Sequence, residues 1–97
     1  MATIHQLNKA FDSRVRLGIM SILIVNDWVD YKQIKADLNL TDGNLASHIN
    51  GLEKLDYLTI RKGFIGKKTN TSYKITPLGQ QAFKQHINAL EQLIKAL

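Results

Sequence analysis

Asn44, Ser47 and Asn50 recur at intervals of three residues, and Lys54 follows four residues later. On a helix turning about 100° per residue these side chains share one face with Gly43. Carboxamides and hydroxyls donate and accept hydrogen bonds, so such a face can read the donors and acceptors on base edges in the major groove of DNA. Plain polar surface is the competing reading, although a merely solvated helix would more often carry Glu and Lys there. His48 lies at the flank of this face, between a phosphate or base contact and a partly buried packing role. A second group of residues carries charge. Arg61, Lys62, Lys67, Lys68, Lys74 and Lys84 fall between Tyr57 and Leu90, an interval that holds no Asp or Glu. A field localised in this way suits a polyanion, with Lys67 and Lys68 as candidate phosphate contacts and Thr69 and Thr71 in the same stretch.

Other chemistries find little support. No Ser/His/Asp order with a supporting motif, no phosphate loop and no clustered carboxylates are present, so an enzyme is not expected. His5 and His86 lack ligand spacing and read as surface or interface histidines, and no metal or other cofactor is expected. The absence of cysteine excludes disulfides and thiolate sites. Arg14 and Arg16 are open to DNA, to a neighbouring carboxylate or to solvent, and Trp28 reads as a packing anchor. The chain has 97 residues, a formal charge of +5 and an isoelectric point near 9.6, which fits one small basic domain over residues 1–97. No segment has the pattern of a leader or the length of a membrane span, so a cytoplasmic protein is expected.

The elements that must position these groups follow from periodicity and caps. Thr41 is a helix cap, and Leu45, Ile49 and Leu52 give the helix over about 41–55 an apolar face opposite its polar one. Upstream, Ile4, Leu7 and Phe11 predict a short helix, and Asp12 a break and a new cap. Residues 13–25 predict a buried central helix, and Trp28-Val29-Asp30 an edge strand or linker. Asp30 with Gln33 resembles a capping box opening a helix through Ile34 and Leu38, and Asn39-Leu40 is a turn. Helix, turn and the helix from Thr41 make a helix-turn-helix. Downstream, alternation in 57–64 and 73–75 predicts two strands of a hairpin over about 57–76. Gly63 and Gly66 would permit its turn, and residues 67–71 would form its exposed basic tip.

Thr76-Pro77 predicts a sharp helix start, with the last helix running over about 77–97. Phe83, Ile87, Leu90, Ile94 and Leu97 are spaced four, three, four and three, a heptad-like stripe longer than a small core requires. A second copy of the chain is the simplest partner, with Ile4, Leu7 and Phe11 joining the seam. The expected fold is α+β and mostly helical, a winged helix-turn-helix with a two- to three-stranded antiparallel sheet and a long C-terminal dimerisation helix.

Over nearly its whole length the chain resembles the small winged-helix transcriptional regulators related to the MarR and ArsR groups. The resemblance rests on residues 12–20, on 40–45 with 48–55, and on 76–83. It implies a homodimeric regulator of transcription that binds double-stranded DNA, with the helix from Thr41 in the major groove and the hairpin as a wing. Asp56 departs from the pattern, standing where many relatives have Gly. The metal-sensing branch uses cysteine and is not supported. A docking module for another protein is the alternative, since fold does not fix function.

Overall fold

Helix starts and stops in this chain are written in short polar side chains. The computed structural model describes residues 4–96, in the order α1 (Arg14–Ile24), β1 (Val29–Asp30), α2 (Tyr31–Leu38), α3 (Asp42–Lys54), β2 (Leu58–Ile65), β3 (Lys68–Ile75) and α4 (Pro77–Lys95). Ser13, Thr41 and Thr76 each accept a hydrogen bond from the backbone N–H three residues on, satisfying an amide that the first turn of a helix leaves free. The cap of α1 is therefore Ser13 and not Asp12. Asp30 precedes α2 but makes no capping bond, and Gln33 bonds Asp37 instead, so the expected capping box is absent. The Asp30 carboxylate is used elsewhere, accepting from Ser72 at 3.1 Å and Asn70 at 3.2 Å on the neighbouring strand.

β1, β3 and β2 lie side by side in that order as an antiparallel sheet. β1 covers only Tyr73 and Ser72 of β3, so beyond that point β2 and β3 continue as a two-stranded arm from Lys62↔Thr71 to Ile65↔Lys68. These four register pairs reach about 13 Å past the three-stranded part. The turn is Gly66-Lys67 alone, with φ +64° at Gly66 and no positive φ at Lys67, the pattern of a II′ hairpin. This corrects the expected five-residue tip. Residues 68–71 belong to a strand, and Gly63 sits within β2 rather than at the turn.

The core joins Ile19, Met20 and Leu23 of α1, Ile34 of α2 and Leu45, Ile49 and Leu52 of α3 to Leu58, Tyr73 and Ile75 of the sheet. The N-terminal segment is two short 3-10 turns, Ile4–Gln6 and Lys9–Phe11, where one helix was expected. Phe11 is 1% exposed, with its ring centroid 5.5 Å from Phe83, 5.6 Å from Tyr57 and 5.2 Å from His86. His86 is correspondingly buried, and its Nδ1 accepts from the Asn8 N–H at 2.9 Å. Neither a surface nor an interface role describes it. Phe11 and Phe83 complete each other inside the chain, so neither remains for the expected seam between copies. The stripe on α4 thereby splits: Phe83, His86 and Ala89 face inward while Ile87, Leu90 and Ile94 stay exposed. Leu97 lies outside the described residues.

Candidate nucleic-acid interface

The apolar positions of α3 determine which side of it reaches solvent. Burial of Leu45, Ile49 and Leu52 leaves Asn44, Ser47, Asn50 and Lys54 exposed on the other side, with Thr41 exposed at the cap. At 13 residues, α3 is about 20 Å long.

Three anchors hold it from the protein side. At its start, Tyr31 Oη donates to the Asp42 carbonyl at 3.0 Å, and Lys35 Nζ pairs with the Asp42 carboxylate at 3.0 Å. The Lys35 ammonium holds the Asp42 carboxyl below its ordinary range, first by donating a hydrogen bond and then by its charge. Along its flank, Arg16 Nε donates to His48 Nδ1 at 3.1 Å, and the guanidinium lies against Gly51, where a Cβ would collide with Nη2. At its end Asp56 takes φ +61°, with its N–H bonded to the Glu53 carbonyl and the Tyr57 N–H to the Leu52 carbonyl. That pair is a Schellman stop, so Asp56 adopts the left-handed geometry in which glycine is more usual. Thr76 Oγ1 donates to the Asp56 carbonyl, tying the stop to the head of α4.

Strand alternation sorts the wing residues. Lys62, Thr69 and Thr71 share the sheet face that packs on α3, while Arg61 and Lys68 share the other, and Lys67 stands at the turn. Thr71 is half-buried and the others are exposed. Arg61 is held at the base, its guanidinium carbon 4.3 Å from the centroid of the Trp28 ring. Lys74, beside it, pairs with Asp27 at 3.0 Å. Trp28, half-buried and outside the hydrophobic core, is thus a cation platform rather than the expected packing anchor. Among the described residues the ion pairs take up Lys35, Lys74 and Lys95. Lys54, Lys62, Lys67 and Lys68 are in none of them.

Sequence reasoning missed several contributors. Arg16 lies 32 residues from His48, and nothing local marks the contact. The Trp28–Arg61 pair is similarly distant, although an aromatic residue beside an edge strand is a usable signal. Among the described residues there is no grouping of three or more His, Asp or Glu fit for a metal, and no helix is long and apolar enough to cross a membrane.

This arrangement, a helix-turn-helix followed by a basic hairpin and a long helix, can be compared with known proteins. The family model described as a winged helix DNA-binding domain matches residues 15–94. The chain belongs to the winged-helix DNA-binding domain family. A relative is a Methanocaldococcus jannaschii protein of uncharacterised role, 38% identical over 87 residues, covering 90% of this chain and 95% of that one. A transcriptional regulator homologue from Pyrococcus horikoshii superposes with a TM-score of 0.79 at 31% identity, covering 96% of this chain and 97% of that one. Bacillus subtilis PadR, solved in complex with operator DNA, shares the winged-helix fold with a TM-score of 0.69 at 14% identity, over 77% of this chain and 48% of that one.

Proposed function

We propose that the protein is a sequence-specific transcriptional regulator that binds double-stranded DNA as a homodimer. The observation that carries the reading is the exposed face of Asn44, Ser47, Asn50 and Lys54 next to an arm whose Lys62, Lys67 and Lys68 enter no ion pair among the described residues. In this reading α3 lies in the major groove, and Asn44, Ser47 and Asn50 choose the sequence. Lys62, Lys67 and Lys68, with Thr69, meet the flanking phosphates or minor groove, and supply affinity more than choice. Arg61 acts from the base of the wing, where Trp28 already occupies it. His48, bonded to Arg16, sets the position of α3, with its other nitrogen available to DNA. Family membership and the regulator from Pyrococcus horikoshii support the class of function.

Two copies meet through Ile87, Leu90 and Ile94, which are 41%, 40% and 59% exposed, joined by Ile4 at 70%. Two-fold symmetry then sets the two α3 helices on half-sites of an inverted repeat about 34 Å apart. Fluorescence anisotropy on duplexes selected from a random pool tests the reading. Log affinity should fall steeply and linearly with log salt, by about 0.9 for each phosphate neutralised. Replacing Lys67 and Lys68 by Glu should abolish binding at moderate salt. Absence of DNA binding by the wild type at low salt, or indifference to those two changes, would sink the proposal.

A further inference from the structure

The far end of the hairpin carries Phe64 and Ile65, which are 74% and 64% exposed. They are consecutive, so alternation puts one on each face of the arm, and the tip is apolar on both sides. Phe64 stands opposite Thr69 and Ile65 opposite Lys68, just before the Gly66-Lys67 turn, with Lys62 two residues behind Phe64. Neither side chain belongs to the hydrophobic core or to the half-buried residues packed against it. A solvated hairpin end gains nothing from a phenyl ring beside an isoleucine, whereas burial of the pair in an apolar interior is favourable. The narrow turn, the apolar pair and the ring of Lys62, Lys67 and Lys68 together fit a polyanion that has an apolar interior within reach. Duplex DNA is such a target, because its minor groove places stacked bases between two rows of phosphates.

Resting on the DNA-binding reading above, we infer that Phe64 and Ile65 form a wedge that the wing drives into the minor groove. There they part a base step and bend the duplex toward the major groove, while the flanking lysines hold the phosphates on either side. The wing then contributes to sequence choice, since flexible pyrimidine–purine steps open at the lowest cost.

The test compares wild type with Phe64→Ser, Ile65→Ser, the double variant and the conservative Phe64→Leu. Binding is read on a duplex selected from a random-sequence pool and bending by energy transfer between dyes at its ends. Both positions are exposed, so melting temperatures should stay unchanged. The Ser variants should lose about tenfold or more in affinity at an unchanged salt slope and leave the duplex straight. Phe64→Leu should keep the bend, and Lys67→Gln should instead lower the slope by about one. Ser variants that bind and bend like the wild type overturn the wedge and leave the regulator reading standing. Wild type that binds no duplex at low salt overturns both. Two further results overturn the wedge: a Ser variant that changes the oligomeric state without DNA assigns the tip to a second copy, and loss of binding to phosphatidylserine vesicles in place of DNA assigns it to a lipid surface.

Discussion

Gly51 and Gly79 both lie within helices, yet their neighbours make them answer differently to one added methyl group. At Gly79 the Cβ would strike the backbone carbonyl of Tyr57, which already accepts from the Thr76 N–H and has no room to retreat. Overpacking of this kind costs about 1–3 kcal/mol, and the helix-propensity gain of about 1 kcal/mol does not offset it. Gly79→Ala should therefore lower the urea midpoint. At Gly51 the obstacle is the end of the Arg16 side chain, which can swing away. Gly51→Ala should leave the urea midpoint equal or higher, while the His48 ring resonances move because Arg16 no longer donates to it. Equal destabilisation by the two variants would refute the distinction. Asp56 is a third case, held at φ +61° by the Schellman bonds. A left-handed L-residue carries a strain that glycine lacks, so Asp56→Gly should gain about 0.5 kcal/mol in urea unfolding.

Between elements, one of the two contacts that align the start of α3 with α2, the Lys35–Asp42 pair, is ionic and exposed. Lys35 lowers the Asp42 carboxyl below its ordinary value of 3.8, so the carboxylate form is favoured in the folded chain. The stability this adds is fully present above that ordinary value and is lost as pH falls through the lower, folded one. Wild type should melt above Asp42→Asn at neutral pH, and the gap should close under strongly acid conditions. A gap that persists there would mean that the pair is not its source. Elements were legible in the sequence wherever a single local signal decided them. Thr41 and Thr76 stand before segments whose apolar residues recur at helical spacing, and both cap. Asp30 has the same look, but Ser72 and Asn70 claim its carboxylate across the sheet, and no local pattern contains that competition. The hairpin was recognisable from alternation and Gly66, while its two-residue turn depends on strand pairing that composition does not encode. On α4, heptad spacing marked the apolar residues without dividing them: Phe83 turned inward because Phe11 needed a partner, which left Ile87, Leu90 and Ile94 outside. The face of Asn44, Ser47 and Asn50 could be read because Leu45, Ile49 and Leu52 fix the opposite one; Arg16 could not, since only the tertiary fold brings it to His48.

For the whole molecule, the exposed half of the α4 stripe governs assembly. Leu90→Asp would place a charge at the centre of the proposed seam, so sedimentation at tens of micromolar should shift from dimer to monomer without loss of helical signal. A wild type that sediments as a monomer would remove the seam. Assembly in turn fixes only where the bodies of the two copies lie; the reach of each wing is decided at its root. There, Asp30 accepts from Ser72 and Asn70, Arg61 lies over Trp28, and Lys74 pairs with Asp27. The hairpin is a lever whose arm reaches about 13 Å beyond a fulcrum at these three contacts. A rotation of about 15° at the fulcrum displaces the tip by about 3.4 Å, the spacing of successive bases. Loosening Trp28 or Asp30, neither of which approaches the tip, would therefore blur which base step the wing meets by one position in either direction.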